Sequence, residues 1–207
     1  MKLYLSSYHL GNDSKKLIEM IGPNKKTAII TNALDFSLDY ERKTKGIWRE
    51  KADLQALGLL PEELDLRNYF GKSQNLKKKL SEFGFVWAIG GNTFILRRAM
   101  HESGFDSIIK EYLGKDELVY GGYSAGVCAI TPTLKGLELV DDPVTLPKGY
   151  KNQTIWDGVG LINYCFAPHY KSDHPESKAV NNLVQYFVDK HMPYKALRDG
   201  EVIIDSV

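Results

Sequence analysis

Leu118-Val119-Tyr120-Gly121-Gly122-Tyr123-Ser124-Ala125-Gly126-Val127-Cys128-Ala129-Ile130 sets one serine between two small residues, where an apolar strand gives way to a helix. An apolar run entering a tight turn must leave its sheet before a helix can begin, and Gly122 and Gly126 remove the side chains that would clash there. Ser124 is then expected in a strained backbone conformation with its hydroxyl exposed. The helix starting at Ala125 aims its unpaired amide hydrogens and the positive end of its dipole at whatever the serine attacks. This is the pattern of a nucleophile elbow. The same string also fits a glycine-rich connection with a serine helix cap, so its meaning depends on the rest of the chain.

Outward from the elbow, apolar strands alternate with helical stretches. Lys2 to Ser6, Thr27 to Ile30, Phe85 to Ile89 and Leu118 to Gly121 read as strands. Between them, Ser14 to Ile21, Asp35 to Leu57, Ser73 to Phe83, Asn92 to His101 and Phe105 to Leu113 read as helices. That alternation predicts an α/β fold, three layers deep, with a mostly parallel central sheet covered on both faces. Beyond the elbow, Leu134 to Pro147 reads as short extended pieces and Leu161 to Pro168 as a strand, followed by a helix from Pro175 to His191. Tyr194 to Arg198 and Glu201 to Ile204 flank Asp199-Gly200, which predicts a terminal hairpin.

A chain of 207 residues with 43% apolar content can bury one sizeable core, and nothing marks a second domain, so residues 1–207 are expected to form one unit. Its 27 basic and 26 acidic residues leave a formal charge of +1, which gives no field to recruit nucleic acid or an anionic membrane. Cys128 and Cys165 both lie in apolar stretches, which argues against a disulfide framework. The opening residues are too short in apolar length for a signal peptide, and no stretch approaches a membrane span. A cytoplasmic location is expected.

Acyl transfer needs donors where negative charge develops on a carbonyl oxygen, and Ile89-Gly90-Gly91-Asn92-Thr93 ends a core strand. Glycines there admit a substrate carbonyl close to the backbone, while Asn92 can cap the next helix; an ordinary strand-to-helix turn fits the same residues. Both glycine motifs fall at the carboxyl ends of strands, where open parallel sheets bind ligands. The base must be one of His9, His101, His169, His174 and His191. His169, at the end of an apolar run, is the first candidate and His174 the second. His169, Asp173, His174 and Glu176 form a rival metal-binding set, but they match no familiar zinc spacing, so no metal is expected.

Gly90-Gly91-Asn92-Thr93-Phe94, Gly122-Tyr123-Ser124-Ala125-Gly126 and Pro168-His169-Tyr170, in this order and separation, resemble the aspartyl dipeptidase (peptidase E) family. That family is related to cyanophycinases and, more distantly, to class I glutamine amidotransferase domains, whose fold the resemblance implies here. It also implies that Ser124 is the nucleophile and His169 the general base, with the Gly91 and Ala125 amides as the oxyanion hole and no cofactor. The third member is implied at Asp199, where the family has a glutamate; Glu201, Asp141 and Asp142 are substitutes. Gly90, Asn92 and Lys178 are expected to meet the substrate. Lys178 and Asn181 stand where the family carries arginines, and lysine cannot form a bidentate clamp on an acidic side chain.

The function implied is a serine peptidase, dipeptidase-like, that hydrolyses small peptides through an acyl-enzyme, with a homodimer the assembly left open. An esterase or amidase of the α/β-hydrolase type is the alternative enzyme, its acid at Asp142 or Asp157 between Ser124 and His169 in the chain. A non-catalytic binding protein that keeps the elbow as a ligand pocket is the alternative outside enzymes.

Overall fold

The computed structural model describes residues 1–207, apart from the side chain of Arg42. Its strands are β1 (Lys2–Ser6), β2 (Lys26–Ile30), β3 (Leu60–Glu63), β4 (Phe85–Ala88), β5 (Val119–Tyr123), β6 (Cys165–Ala167), β7 (Tyr194–Ala196) and β8 (Val202–Ser206). Its helices are α1 (Ser14–Met20), α2 (Tyr40–Ala56), α3 (Ser73–Leu80), α4 (Thr93–Ser103), α5 (Phe105–Lys110), α6 (Ala125–Cys128) and α7 (Ser177–Asp189). Six strands form the main sheet in the order β3-β2-β4-β5-β1-β8, parallel throughout except for the edge strand β8.

Alternate residues of each inner strand enter opposite cores, as the pleat requires. Leu3, Leu5, Ala28, Ile30, Val86, Ala88 and Tyr120 pack on one face with apolar side chains of α3 to α7. Tyr4, Ile29, Phe85, Trp87, Val119 and Tyr123 pack on the other with Leu17 of α1 and Leu54 of α2. At about 1.5–3 kcal/mol for each fully buried large apolar side chain, these two faces supply the main favourable term for the α/β/α layering. It is the layering that the strand–helix alternation predicts.

The terminal hairpin does not form. β7 pairs in parallel with β6 in a small separate sheet, whereas β8 pairs antiparallel with β1 at the edge of the main sheet. Asp199-Gly200 does turn the chain, with the Glu201 amide donating to the Arg198 carbonyl at 3.0 Å, but the turn carries it from one sheet to another. The local turn chemistry is right; the pairing is decided by the open edge of β1.

Other boundaries also move. The strand expected over Leu161 to Pro168 is confined to Cys165–Ala167, and the extended pieces expected after Leu134 are a 3-10 turn at Leu137–Leu139 with irregular chain around it. The charged helix starts at Tyr40, because Asn32–Leu34 first form a 3-10 turn whose C-cap, Asp35, bonds Asn32 and Lys43.

Candidate active site

The carboxyl ends of β1, β4 and β5 converge on one crevice edge, and the glycines explain how closely. A Cβ on Gly122 would lie 2.6 Å from the Ala88 carbonyl oxygen, and one on Gly126 only 2.1 Å from the same atom. The turn after β5 therefore presses its backbone onto the end of β4. Ser124 in that turn has φ 48° and ψ −115°, outside the region ordinary residues prefer, and its carbonyl accepts the Val127 and Cys128 amides at 2.9 Å. The strain is held by the packing on both sides of it.

Across β4, Gly91 has φ 139°, and a Cβ there would lie 2.5 Å from the Ala33 carbonyl oxygen. The amides that follow are occupied: Asn92 N–H donates to Ala33 O, Thr93 N–H to Asp141 Oδ2, and Ile95 N–H to Asn92 Oδ1. Among the described residues no acceptor takes the Gly91 or Ala125 amide. The Asn92 side chain caps α4, and its Nδ2 donates to the Asp142 carbonyl at 2.9 Å, so both ends of that amide serve the scaffold. Lys178 is exposed in the first turn of α7.

His169 follows β6 and is buried, in a left-handed backbone conformation with φ 58°. Its Nδ1 lies 2.6 Å from Asp199 Oδ1. A carboxylate only accepts, so Nδ1 carries the proton and Nε2 keeps its lone pair. Ser7, at the end of β1, accepts the His169 amide at 2.8 Å, and its Oγ lies 3.0 Å from Asp199 Oδ1. Ser172 Oγ accepts the Asp199 amide at 2.8 Å. Burial pushes the His169 imidazole below its ordinary value, although Asp199 pulls it upward.

Among the described residues none of the other carboxylates proposed from sequence bonds His169. Asp142 bonds Val144 and Thr145, Glu201 accepts the Arg198 amide, and Asp157 forms a bridge with Thr133. Asp141 accepts from Thr93 and lines a small cavity with Ser124, Cys128, Pro168 and Glu176; burial raises its carboxyl to about 6. Among the described residues no hydrogen bond yet joins Ser124 Oγ to His169. Such contacts often tighten only around substrate.

Three side chains surround His169: His174 and Glu176, which the sequence already groups with it, and Tyr8, which sequence reasoning missed. The His174 ring stacks on it with centroids 3.7 Å apart and planes 7° from parallel. Tyr8 packs its edge against both imidazoles at 5.5 and 5.4 Å. Glu176 Oε2 lies 4.0 Å from His169 Nε2, and its backbone amide donates to His174 Nδ1. The ligand atoms of His169, His174 and Glu176 fall within 4.8 Å of one another. Parallel rings direct their in-plane lone pairs side by side instead of toward a common point, and the Glu176 amide already occupies His174 Nδ1.

An oriented imidazole whose Nε2 lies 4.0 Å from Glu176, a residue that shares a small cavity with the strained serine, sits with it after strands of a mostly parallel sheet, an arrangement that fits an α/β enzyme of the hydrolytic class. The chain belongs to peptidase family S51, whose model matches residues 14–205. It is similar to an uncharacterized peptidase of Listeria monocytogenes, 30% identical over 144 residues, which are 70% of this chain and 66% of that protein. It is also similar to a "Probable alpha-aspartyl dipeptidase" of Drosophila melanogaster, 27% identical over 60% of this chain and 50% of that one. The matched regions thus span one half to two thirds of these relatives. Among solved structures, a candidate peptidase E protein of Listeria monocytogenes superposes with TM-score 0.70 at 25% identity, covering 100% of this chain and 98% of that one. A peptidase from an acI-B1 Actinobacterium shares the fold, with TM-score 0.71 at 12% identity over 99% and 83% of the two chains. Family membership places this chain among the peptidases.

Proposed function

We propose that this chain is a serine peptidase that hydrolyses small peptides, dipeptides among them, through an acyl-enzyme on Ser124. The observation that carries the reading is the 2.6 Å contact between His169 Nδ1 and Asp199, which leaves Nε2 free to accept a proton, in a chain whose elbow serine is held in a strained turn. In that mechanism Ser124 Oγ attacks the scissile carbonyl carbon while His169 Nε2 takes its proton. Asp199 stabilises the imidazolium, and the Gly91 and Ala125 amides receive the developing oxyanion. The intermediate collapses by breaking the C–N bond, with His169 giving its proton to the departing amine. A water, deprotonated by the same imidazole, then releases the acid and restores Ser124.

The order Ser124, His169, Asp199 favours this reading over an α/β-hydrolase-type esterase, which would need its acid between the other two. Both cysteines are free and buried, and among the described residues no helix is long and apolar enough to cross a membrane. These features support a cytoplasmic enzyme, and a main sheet that pairs the first strand with the last supports one unit over residues 1–207. The name of the Drosophila relative supports dipeptides as the substrates to try first.

Fluorophosphonate labelling, run beside free-amine release from a dipeptide panel, tests the proposal. Wild type should label and hydrolyse, while Ser124→Ala should do neither and keep its thermal midpoint. Turnover should fall about 10⁶-fold, as for other triad serines. Unlabelled wild type, or an active Ser124→Ala, would overturn it.

A further inference from the structure

Tyr8, which packs on His169, also packs on the imidazole of a second carboxylate–imidazole pair that the proposed chemistry leaves unused. Glu50, buried on α2, accepts from His9 Nδ1 at 2.6 Å, from Trp87 Nε1 at 3.1 Å and from the Tyr123 hydroxyl at 3.1 Å. Because Glu50 only accepts, His9 carries its proton on Nδ1, and its Nε2 accepts from Arg49 Nη2 at 2.7 Å. His9 is held in a left-handed conformation, φ 46°, with its ring 4.0 Å from that of Tyr8 and 5.0 Å from that of Tyr123. A relay from Glu50 through His9 thus fixes one guanidinium.

That guanidinium borders a cavity of about 660 Å³ at the carboxyl ends of the sheet strands. Its walls include Tyr8, Leu34, Phe36, Ile89 and Tyr123, and Tyr123 directly precedes Ser124. The other cations there are balanced, Lys43 by Asp35 and Lys45 by Glu41, each at 2.7 Å. The charge of Glu50 is already met by three donors. Among the described residues no carboxylate pairs with Arg49; its partner is a neutral ring nitrogen.

We propose that Arg49, oriented by His9 and Glu50, forms a subsite for the free C-terminal carboxylate of a short peptide whose last side chain is apolar. The inference rests on the serine-peptidase reading and adds the substrate class. A C-terminal apolar residue offers in one unit what the cavity asks for, an anion for the guanidinium and a hydrocarbon group for Leu34, Phe36 and Ile89. An acidic side chain offers only the first. A guanidinium held at one nitrogen keeps further N–H groups free to grip a carboxylate.

The test uses a panel of dipeptides, each as the free acid and as the C-terminal amide, with Asp/Asn pairs at the first position as a second arm. Free-amine release is read on the wild type, and calorimetry with the same pairs is read on Ser124→Ala, where binding is separated from turnover. Acids should exceed amides by about tenfold or more in kcat/KM, chiefly through KM, and by a similar factor in affinity. Arg49→Ala should bring the acid-to-amide ratio near one, His9→Ala should lower it, and Arg49→Lys should restore part of it. Equal handling of acids and amides by the wild type, or discrimination that persists in Arg49→Ala, would overturn the subsite. So would a preference that follows the Asp side chain and ignores the terminus. Loss of labelling at Ser124 with acid-selective binding intact would instead remove the peptidase reading and leave the subsite standing.

Discussion

A single hydroxyl links the two halves of the dyad: Ser7 Oγ accepts the His169 amide at 2.8 Å and lies 3.0 Å from Asp199 Oδ1. The end of β1 therefore sets the spacing between the imidazole backbone and the carboxylate that orients it. Ser7→Ala leaves a buried N–H without its acceptor, at about 1–3 kcal/mol. It also frees the imidazole to shift, and misplacement of that kind costs up to about 10²-fold in rate. The expected result is a lower kcat at nearly constant KM, with Ser7→Thr recovering part of it. A loss of stability alone, with kcat unchanged, would make Ser7 purely structural.

Asp199 sits in a turn that asparagine also suits, so Asp199→Asn separates turn formation from catalysis. The amide would favour the wrong imidazole tautomer, and turnover should drop by up to about 10⁴-fold while the thermal midpoint changes little. Glu201→Gln and Asp142→Asn, whose carboxylates serve local backbone, should stay near the wild-type rate. A collapse in either would move the acid there.

Burial holds both His169 and His174 below the ordinary imidazole value. A base that must be neutral then stays competent further into acid, so the acidic limb of kcat/KM should fall below about pH 6.5, the unperturbed value. The same shifts affect folding. With folded values depressed, the unfolded chain binds more protons, so stability present above about pH 6.5 is lost as pH falls through the folded values. Profiles of His174→Ala should keep most of the activity, whereas His169→Ala should not. The reverse ranking would transfer the base to His174.

Asp141 titrates near 6 because burial outweighs the Thr93 hydrogen bonds. Its folded value lies above the unfolded one, so the stability it contributes is complete below about pH 4 and lost as pH rises through 6. Asp141→Asn keeps an acceptor for Thr93 N–H and has no charge to bury. Its thermal midpoint should gain on wild type as pH rises from about 4 to about 6 and then level off; a constant difference across that window would contradict the assignment.

The inner strands were legible because Phe85 to Ala88 and Val119 to Tyr123 are buried on both faces and read as unbroken runs of apolar and small residues. β3 was not, since Leu60-Pro61-Glu62-Glu63 is a half-polar edge strand in which proline erases the signal. The glycine-bracketed serine and the histidine at a strand end carry local signatures. Ser7 carries none, because its contact with His169 spans 162 positions and depends on β1 lying beside β5. The Asp199-Gly200 turn misled for the related reason that a dipeptide specifies a turn and cannot specify which sheet edge stands open.

The parallel stack of His174 on His169 makes the outer ring a magnetic sensor for the inner one. An aromatic ring shields protons lying over its face, so the carbon-bound protons of His174 should resonate upfield of an ordinary histidine. Any tilt or protonation of His169 would move those signals without a probe attached to the dyad. Proton spectra could thus follow the buried imidazole through titration, acylation and product release, using an atom set that takes no part in the chemistry.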